Sequence, residues 1–124
     1  MNYVMGKKRC ISKIKIDIRP LSINEAYRTP KGARRYKTAQ YNSFISALQW
    51  LLPKEIELFP KMTIWMEWGI KNTARDVDNP VKPFIDVLQK RYKFNDSRVY
   101  KIVAEKVISK QEYIKFEISE YEKV

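Results

Sequence analysis

Four of the chain's five aspartates fall within twenty-one residues, at Asp76, Asp78, Asp86 and Asp96. The first two lie in Arg75-Asp76-Val77-Asp78-Asn79-Pro80-Val81-Lys82. Asp86 follows four residues on, and Asp96 lies in Phe94-Asn95-Asp96-Ser97-Arg98-Val99. Carboxylates gathered this closely repel one another unless a cation lies between them. A hard divalent metal takes oxygen ligands and fits that place. The rest of the chain is strongly basic, with 25 Lys and Arg against 14 Asp and Glu and a formal net charge of +11. A basic protein holding magnesium beside a lysine points to an enzyme that cuts nucleic acid.

In extended chain, Asp76 and Asp78 would point the same way and face one site. Lys82 and Asp86 are four apart and share a helical face. Asp96 arrives from the next loop. Asn79, a helix-capping type, precedes Pro80, which is favoured at a first helical position. Three or four carboxylates and one ammonium then meet near a helix N-terminus, which itself favours anions. Phosphodiester hydrolysis needs such a set. The metal lowers the pKa of a bound water, and a lysine offsets charge growing on the phosphoryl oxygens. Plainer readings stand beside this one. Asp78 is also a capping type, Asp78, Lys82 and Asp86 also form a surface ion-pair ladder, and Asp96 before Ser97 also suits a turn.

Histidine is absent and Cys10 is the one cysteine, so imidazole ligands, an internal disulfide and Ser-His or Cys-His nucleophiles are all excluded. Metal chemistry must use oxygen ligands, which selects Mg2+ or Mn2+. No apolar run approaches the roughly 20 residues of a membrane span. Met1 to Cys10 lacks the apolar core of a signal peptide, so a cytoplasmic protein is expected. No acid occurs from Ala26 to Lys54. Inside that gap Arg28, Lys31, Arg34, Arg35 and Lys37 surround Pro30 and Gly32, which reads as a mobile basic loop for phosphates. Tyr27 and Tyr36 at its ends are candidates to stack on unpaired bases.

The elements that must position these residues follow from periodicity. Ile14, Ile16 and Ile18 alternate with polar residues, which predicts a half-buried strand ending at Arg19-Pro20. Pro20 to Tyr27 reads as a turn. Thr38 caps a helix whose Tyr41, Phe44, Ile45, Leu48 and Leu52 form one apolar stripe, stopped by Pro53, with Trp50 off the stripe. Met62 to Ile70 is apolar on both faces, which predicts a central strand with cover on each side. Phe84, Val87 and Leu88 form the buried stripe of a second helix, in which Pro83 makes the first turn irregular. Val99 to Ile108 and Tyr113 to Ser119 are two strands close enough in sequence to predict a hairpin, followed by a frayed tail, Tyr121 to Val124. The whole is one domain across residues 1–124, α/β (α+β-like), with a mixed sheet of about four strands and two main helices.

The pattern Asp76-x-Asp78-Asn79-x-x-Lys82-x-x-x-Asp86-x-Leu88, with Phe94-x-Asp96-x-x-Val99, resembles the RusA-type Holliday junction resolvases, endonucleases often encoded by phages and prophages. Pro20-x-Ser22-x-Asn24-x-x-Tyr27 resembles that family's opening segment. The resemblance implies a homodimer of a small α/β fold that binds four-way DNA junctions in recombination and repair, and nicks two opposing strands with Mg2+ or Mn2+. It implies that Asp76, Asp78 and Asp96 are catalytic and metal-binding, that Lys82 is catalytic, that Asp86 is a supporting acid, and that Arg75 touches DNA. Asn95 stands where the family usually has a first aspartate of a pair, and the link from Asp86 to Asp96 lacks its usual glycine. Two other readings remain: a nuclease for other branched DNA, and a basic nucleic-acid-binding module without catalysis.

Overall fold

In the computed structural model, which describes residues 13–123, one mixed sheet of four strands organises the chain. The elements run β1 (Ile14–Ile16), α1 (Ile23–Ala26), β2 (Tyr27–Arg28), β3 (Tyr36–Lys37), α2 (Ala39–Leu51), β4 (Met62–Ile70), α3 (Val81–Tyr92), a 3-10 turn (Asp96–Arg98), β5 (Val99–Ile108) and β6 (Tyr113–Glu120). The expected α/β class, four-stranded mixed sheet and two main helices are all present. Cys10 and the expectation about Met1 to Cys10 lie outside the described residues.

Strand order is β1-β6-β4-β5. β4 and β5 are parallel and joined through α3, while β6 runs antiparallel to β4 on its other side. The hairpin expected between β5 and β6 therefore does not form. The physical reason lies in burial. β6 buries Ile114, Phe116 and Ile118 and takes an interior place, whereas β5 carries Lys101, Glu105 and Lys106 and takes the edge. β4 is central, as its two-faced apolarity predicts.

Both long helices pack on one face of the sheet. Ile64, Met66 and Trp68 of β4 and Phe116 of β6 meet Tyr41, Phe44 and Leu48 of α2 and Phe84 and Leu88 of α3 in one core. Phe84 sets its edge against Trp68 and against Phe116, with ring centroids 5.8 and 5.3 Å apart. The predicted α2 stripe is the buried one. Thr38 caps the helix by accepting the Tyr41 N–H at 3.1 Å, and the helix ends before Pro53.

Several local expectations are corrected. Pro80, not Asn79, is the α3 cap residue, and no side chain caps that helix. Pro83 then falls at the third helical position, where the backbone N–H is unused in any case, so the first turn is regular. The turn before the basic segment holds a short helix, α1, closed by a capping box from Ser22 and Glu25. The basic segment itself is a two-stranded arm, with Tyr27 opposite Lys37 and Arg28 opposite Tyr36. Its tip turns at Gly32, φ 77°. Tyr121 is docked rather than frayed: its N–H donates to the Lys61 carbonyl at 2.9 Å and its ring lies 5.2 Å from that of Tyr100.

Among the described residues, lysine side chains lie over the second sheet face. Lys13 lies over Trp65 at 4.3 Å and Lys15 over Tyr113 at 4.9 Å. The Tyr113 ring in turn lies across Gly69, where an added Cβ would clash with it. Gly69→Ala is expected to lower unfolding stability by about 1–3 kcal/mol, as overpacking does. Urea denaturation monitored by circular dichroism checks this.

Candidate active site

The segment between β4 and α3, residues 71–80, is a chain of turns rather than extended backbone. Asp76 O accepts from Asn79 N at 3.4 Å and Asp78 O from Val81 N at 3.1 Å. The extended arrangement expected for Asp76 and Asp78 is thus replaced by turns, and both side chains are exposed. What fixes them is their backbone. The Trp68 indole N–H donates to the Val77 carbonyl, between the two aspartates, at 2.9 Å. Lys106 Nζ of β5 donates to the carbonyls of Thr73 and Arg75 at 2.9 and 2.7 Å. The Ile23 N–H, at the start of α1, donates to the Asn79 carbonyl at 2.9 Å.

Arg75 completes the clamp. Its guanidinium donates to Glu25 at 2.7 Å and is only 15% exposed, so its charge is already partnered within the fold. Glu25 also accepts from Arg19 at 2.9 Å and from the Ser22 N–H at 3.1 Å. Burial pushes its carboxyl up, but the Arg19 and Ser22 hydrogen bonds and the charges of Arg19 and Arg75 outweigh this and leave it below its ordinary value.

Lys82, Asp86 and Asp96 line a second group. Lys82 Nζ sits 3.3 Å from Asp86, the four-residue pair read from the sequence. With its amide NH2 turned toward the carboxylate, Gln89 donates to Asp86 at 3.3 Å and accepts the Asp96 N–H at 3.0 Å. Sequence reasoning missed Gln89; its place one turn past Asp86 was the available signal. These residues, with Val81, Ile85, Val99 and Ile102, enclose a cleft of about 280 Å³ between α3 and β5. Asn95 caps the 3-10 turn by accepting the Ser97 N–H at 2.9 Å, which gives this asparagine a local job.

The structure does not bring all the predicted ligands together. Asp76 and Asp78 precede α3, and Asp96 follows it, so a helix about 18 Å long lies between them. Among the described residues no three acids gather closely enough to hold a metal ion. The donor chemistry suits a hard divalent cation, since two exposed carboxylates stand one residue apart, but the ligand number does not suffice among the described residues of one chain.

The basic arm presents Arg28, Lys31, Arg34, Arg35 and Lys37 as exposed residues. Arg35 stacks on the Tyr27 ring at 3.7 Å, and Tyr41 meets that ring edge-on, so Tyr27 is occupied within the fold. Tyr36 is 52% exposed and is the aromatic the arm offers outward. No helix of the described residues is long and apolar enough to cross a membrane.

Against known proteins, the chain matches the family model described as Endodeoxyribonuclease RusA over residues 17–119. No curated protein matches it. The match covers most of the chain, and the chain belongs to that family, whose activity is hydrolysis within DNA strands.

The Glu25 clamp carries a pH signature. A carboxyl lowered on folding stabilises the fold above its unfolded value, ordinarily near 4.5, and that contribution is lost as pH falls through the lower folded value. Glu25→Gln is expected to cost about 1–2 kcal/mol at neutral pH and to flatten the acid limb of the stability curve. Urea midpoints between pH 3 and 7 check both.

Proposed function

From membership of the RusA family we propose that this protein is a magnesium-dependent endodeoxyribonuclease that resolves four-way DNA junctions in recombination and repair. It does so as a homodimer in the cytoplasm of a bacterial or phage-infected cell. The observation that carries this reading is the aspartate loop. Its backbone is held at four carbonyls by Trp68, Lys106 and Ile23, while Asp76 and Asp78 face solvent in a chain of net charge +11. Donors that fix the loop's backbone while leaving its carboxylates free suit a site that must hold its ligands still.

Magnesium, when bound, supplies a hard positive charge at the phosphate and a more acidic water. Asp76 and Asp78 would hold it from this loop. One or two carboxylates plus substrate phosphate are a common magnesium set, in contrast to an all-protein cage. Lys82, held by Asp86, places its ammonium at the mouth of the α3–β5 cleft, where it offsets charge on the scissile phosphate.

A second copy of the chain supplies what one chain lacks. β5 is a ten-residue edge strand with Tyr100, Ile102, Val107 and Ile108 exposed. An unpaired edge of this length is a template for another strand. Antiparallel pairing with itself about Val103 sets Lys101 opposite Glu105 of the other copy, Val99 opposite Val107, and Tyr100 opposite Lys106. A one-residue slip would set Lys101 opposite Lys106 instead. The favoured register carries the Asp96 end of one copy toward the Lys106 end of the other, beside its aspartate loop. Two equivalent sites related by a two-fold axis suit a junction's two opposing strands.

The plainest test is a synthetic four-way junction with and without Mg2+. Paired nicks that need the metal and vanish in Asp76→Asn, with junction binding retained, are expected. Unchanged cutting in Asp76→Asn would remove the metal-site assignment, and tight binding without cutting by the wild type would favour the DNA-binding module, which the lack of a three-acid cluster in one chain also favours.

Composite sites make a sharper prediction. Asp76→Asn and Asp96→Asn homodimers are each expected to be inactive, while a mixture of the two recovers single nicks, because one site of each mixed dimer is intact. No recovery on mixing, with exchange of subunits verified by sedimentation, would place each site within one chain.

A further inference from the structure

Trp50 is 89% exposed near the end of α2, the most open of the large apolar side chains among the described residues. It lies off the Tyr41, Phe44 and Leu48 stripe, so the core makes no use of it. Burying nothing, a tryptophan in this position stabilises the fold little and exposes a large aromatic surface to water. Its surroundings are cationic. A groove of about 440 Å³ between α2 and α3 is lined by Ile45, Gln49, Trp50, Val87, Lys90 and Arg91.

The groove does not stop there. It shares Ile45, Val87 and Lys90 with a cleft of about 240 Å³ that reaches Lys37 of the basic arm and Asp86. Asp86 in turn belongs to the Lys82–Asp96 cleft described above. One path therefore leads from the candidate active site, past the base of the arm, to Trp50. Its cations are Lys37, Lys90 and Arg91, and Asp86 is the acid at its active-site end. α2 contributes no acid at all.

Two details describe how these cations are held. The Lys90 ammonium, together with burial, lowers the Lys37 pKa, and the Asp86 charge only partly opposes this. An anion between the two lysines would relieve their repulsion. Arg91 is anchored to the Pro53 carbonyl at 3.3 Å, yet its buried Nε–H has no acceptor among the described residues. Lys90 and Arg91 also suit the C-terminal end of α3 electrostatically, but that role does not account for the tryptophan beside them.

We propose that the α2–α3 groove binds an unpaired, single-stranded stretch of DNA, with Trp50 as the platform on which a base stacks. The groove has the size of a pocket for one small ligand, which suits successive nucleotides and not a duplex. Aromatic stacking beside phosphate-neutralising cations is how single strands are held without sequence preference. The proposal rests on the reading of DNA as substrate, and adds where the strand leaving the cleavage site runs.

The test is titration of the full chain with oligo-dT of about 20 nucleotides in EDTA, read by tryptophan fluorescence. The wild type is expected to be quenched. Trp50→Ala should lose most of the quench and bind at least about fivefold more weakly, and Trp50→Phe should keep most of the affinity. Lys90→Ala should lower the slope of log affinity against log salt by about 0.7. Unchanged affinity in Trp50→Ala overturns the proposal. So does a sedimentation shift from dimer to monomer in that variant, which would assign the surface to a second copy. Because no metal is present, binding is read apart from cutting. A chain that binds through Trp50 but never nicks a junction fails the nuclease reading alone. One that nicks, but whose Trp50→Ala variant binds oligo-dT as tightly as the wild type, fails this proposal alone.

Discussion

The Glu25–Arg75 ion pair joins two parts of the chain fifty residues apart, and the geometry of the aspartate loop depends on it. Glu25 closes the capping box of α1, and α1 donates its first N–H to the Asn79 carbonyl. Arg75 stands directly before Asp76. The Glu25 carboxylate therefore ties the short helix to the entry of the loop, and the backbone carbonyl of the same residue, accepting from the Thr38 hydroxyl at 2.6 Å, ties both to the start of α2. The pair is partly buried, and Glu25 holds Arg19 as well as Arg75, so the carboxylate ties two cations to the same point. The loop carries two aspartates that repel each other, and its backbone carbonyls, not its carboxylates, receive the stabilising donors.

This division explains what sequence could and could not supply. The α2 helix was readable because its cap, its stripe and its stop at Pro53 are all local. β4 was readable as central because both its faces are apolar. The neighbours of β5 and β6 were not, since alternation reports which face a residue takes and is silent on which strand lies beside it. Proximity in sequence suggested a hairpin, and burial overruled it: Phe116 and Ile118 needed the interior, beside β4.

The candidate site followed the same rule. Lys82 and Asp86 met because a four-residue spacing on a helix is a local fact. Asp76 and Asp78 were expected in extended chain and lie in turns, since Trp68 and Lys106 draw the backbone back over the sheet. Arg75 and Tyr27, read as DNA contacts, found partners from elsewhere in the fold in Glu25 and in Arg35 with Tyr41. The separation of Asp96 from the other two aspartates was illegible for a different reason. The helix between them was readable from its stripe, but spacing along the chain does not say whether the loops at its two ends meet.

The arm formed by β2 and β3 has only two residue pairs and is fastened at its base by Thr38, which bonds the Glu25 and Ala26 carbonyls. Beyond that base its tip touches little, and a side chain at Gly32 would meet nothing within 4 Å. Residues added at such a tip cost little closure entropy and leave the fastening undisturbed. The arm is thus an adjustable ruler: its length can change across generations of sequence, resetting how far positive charge reaches, while the aspartate loop and the core stay as they are.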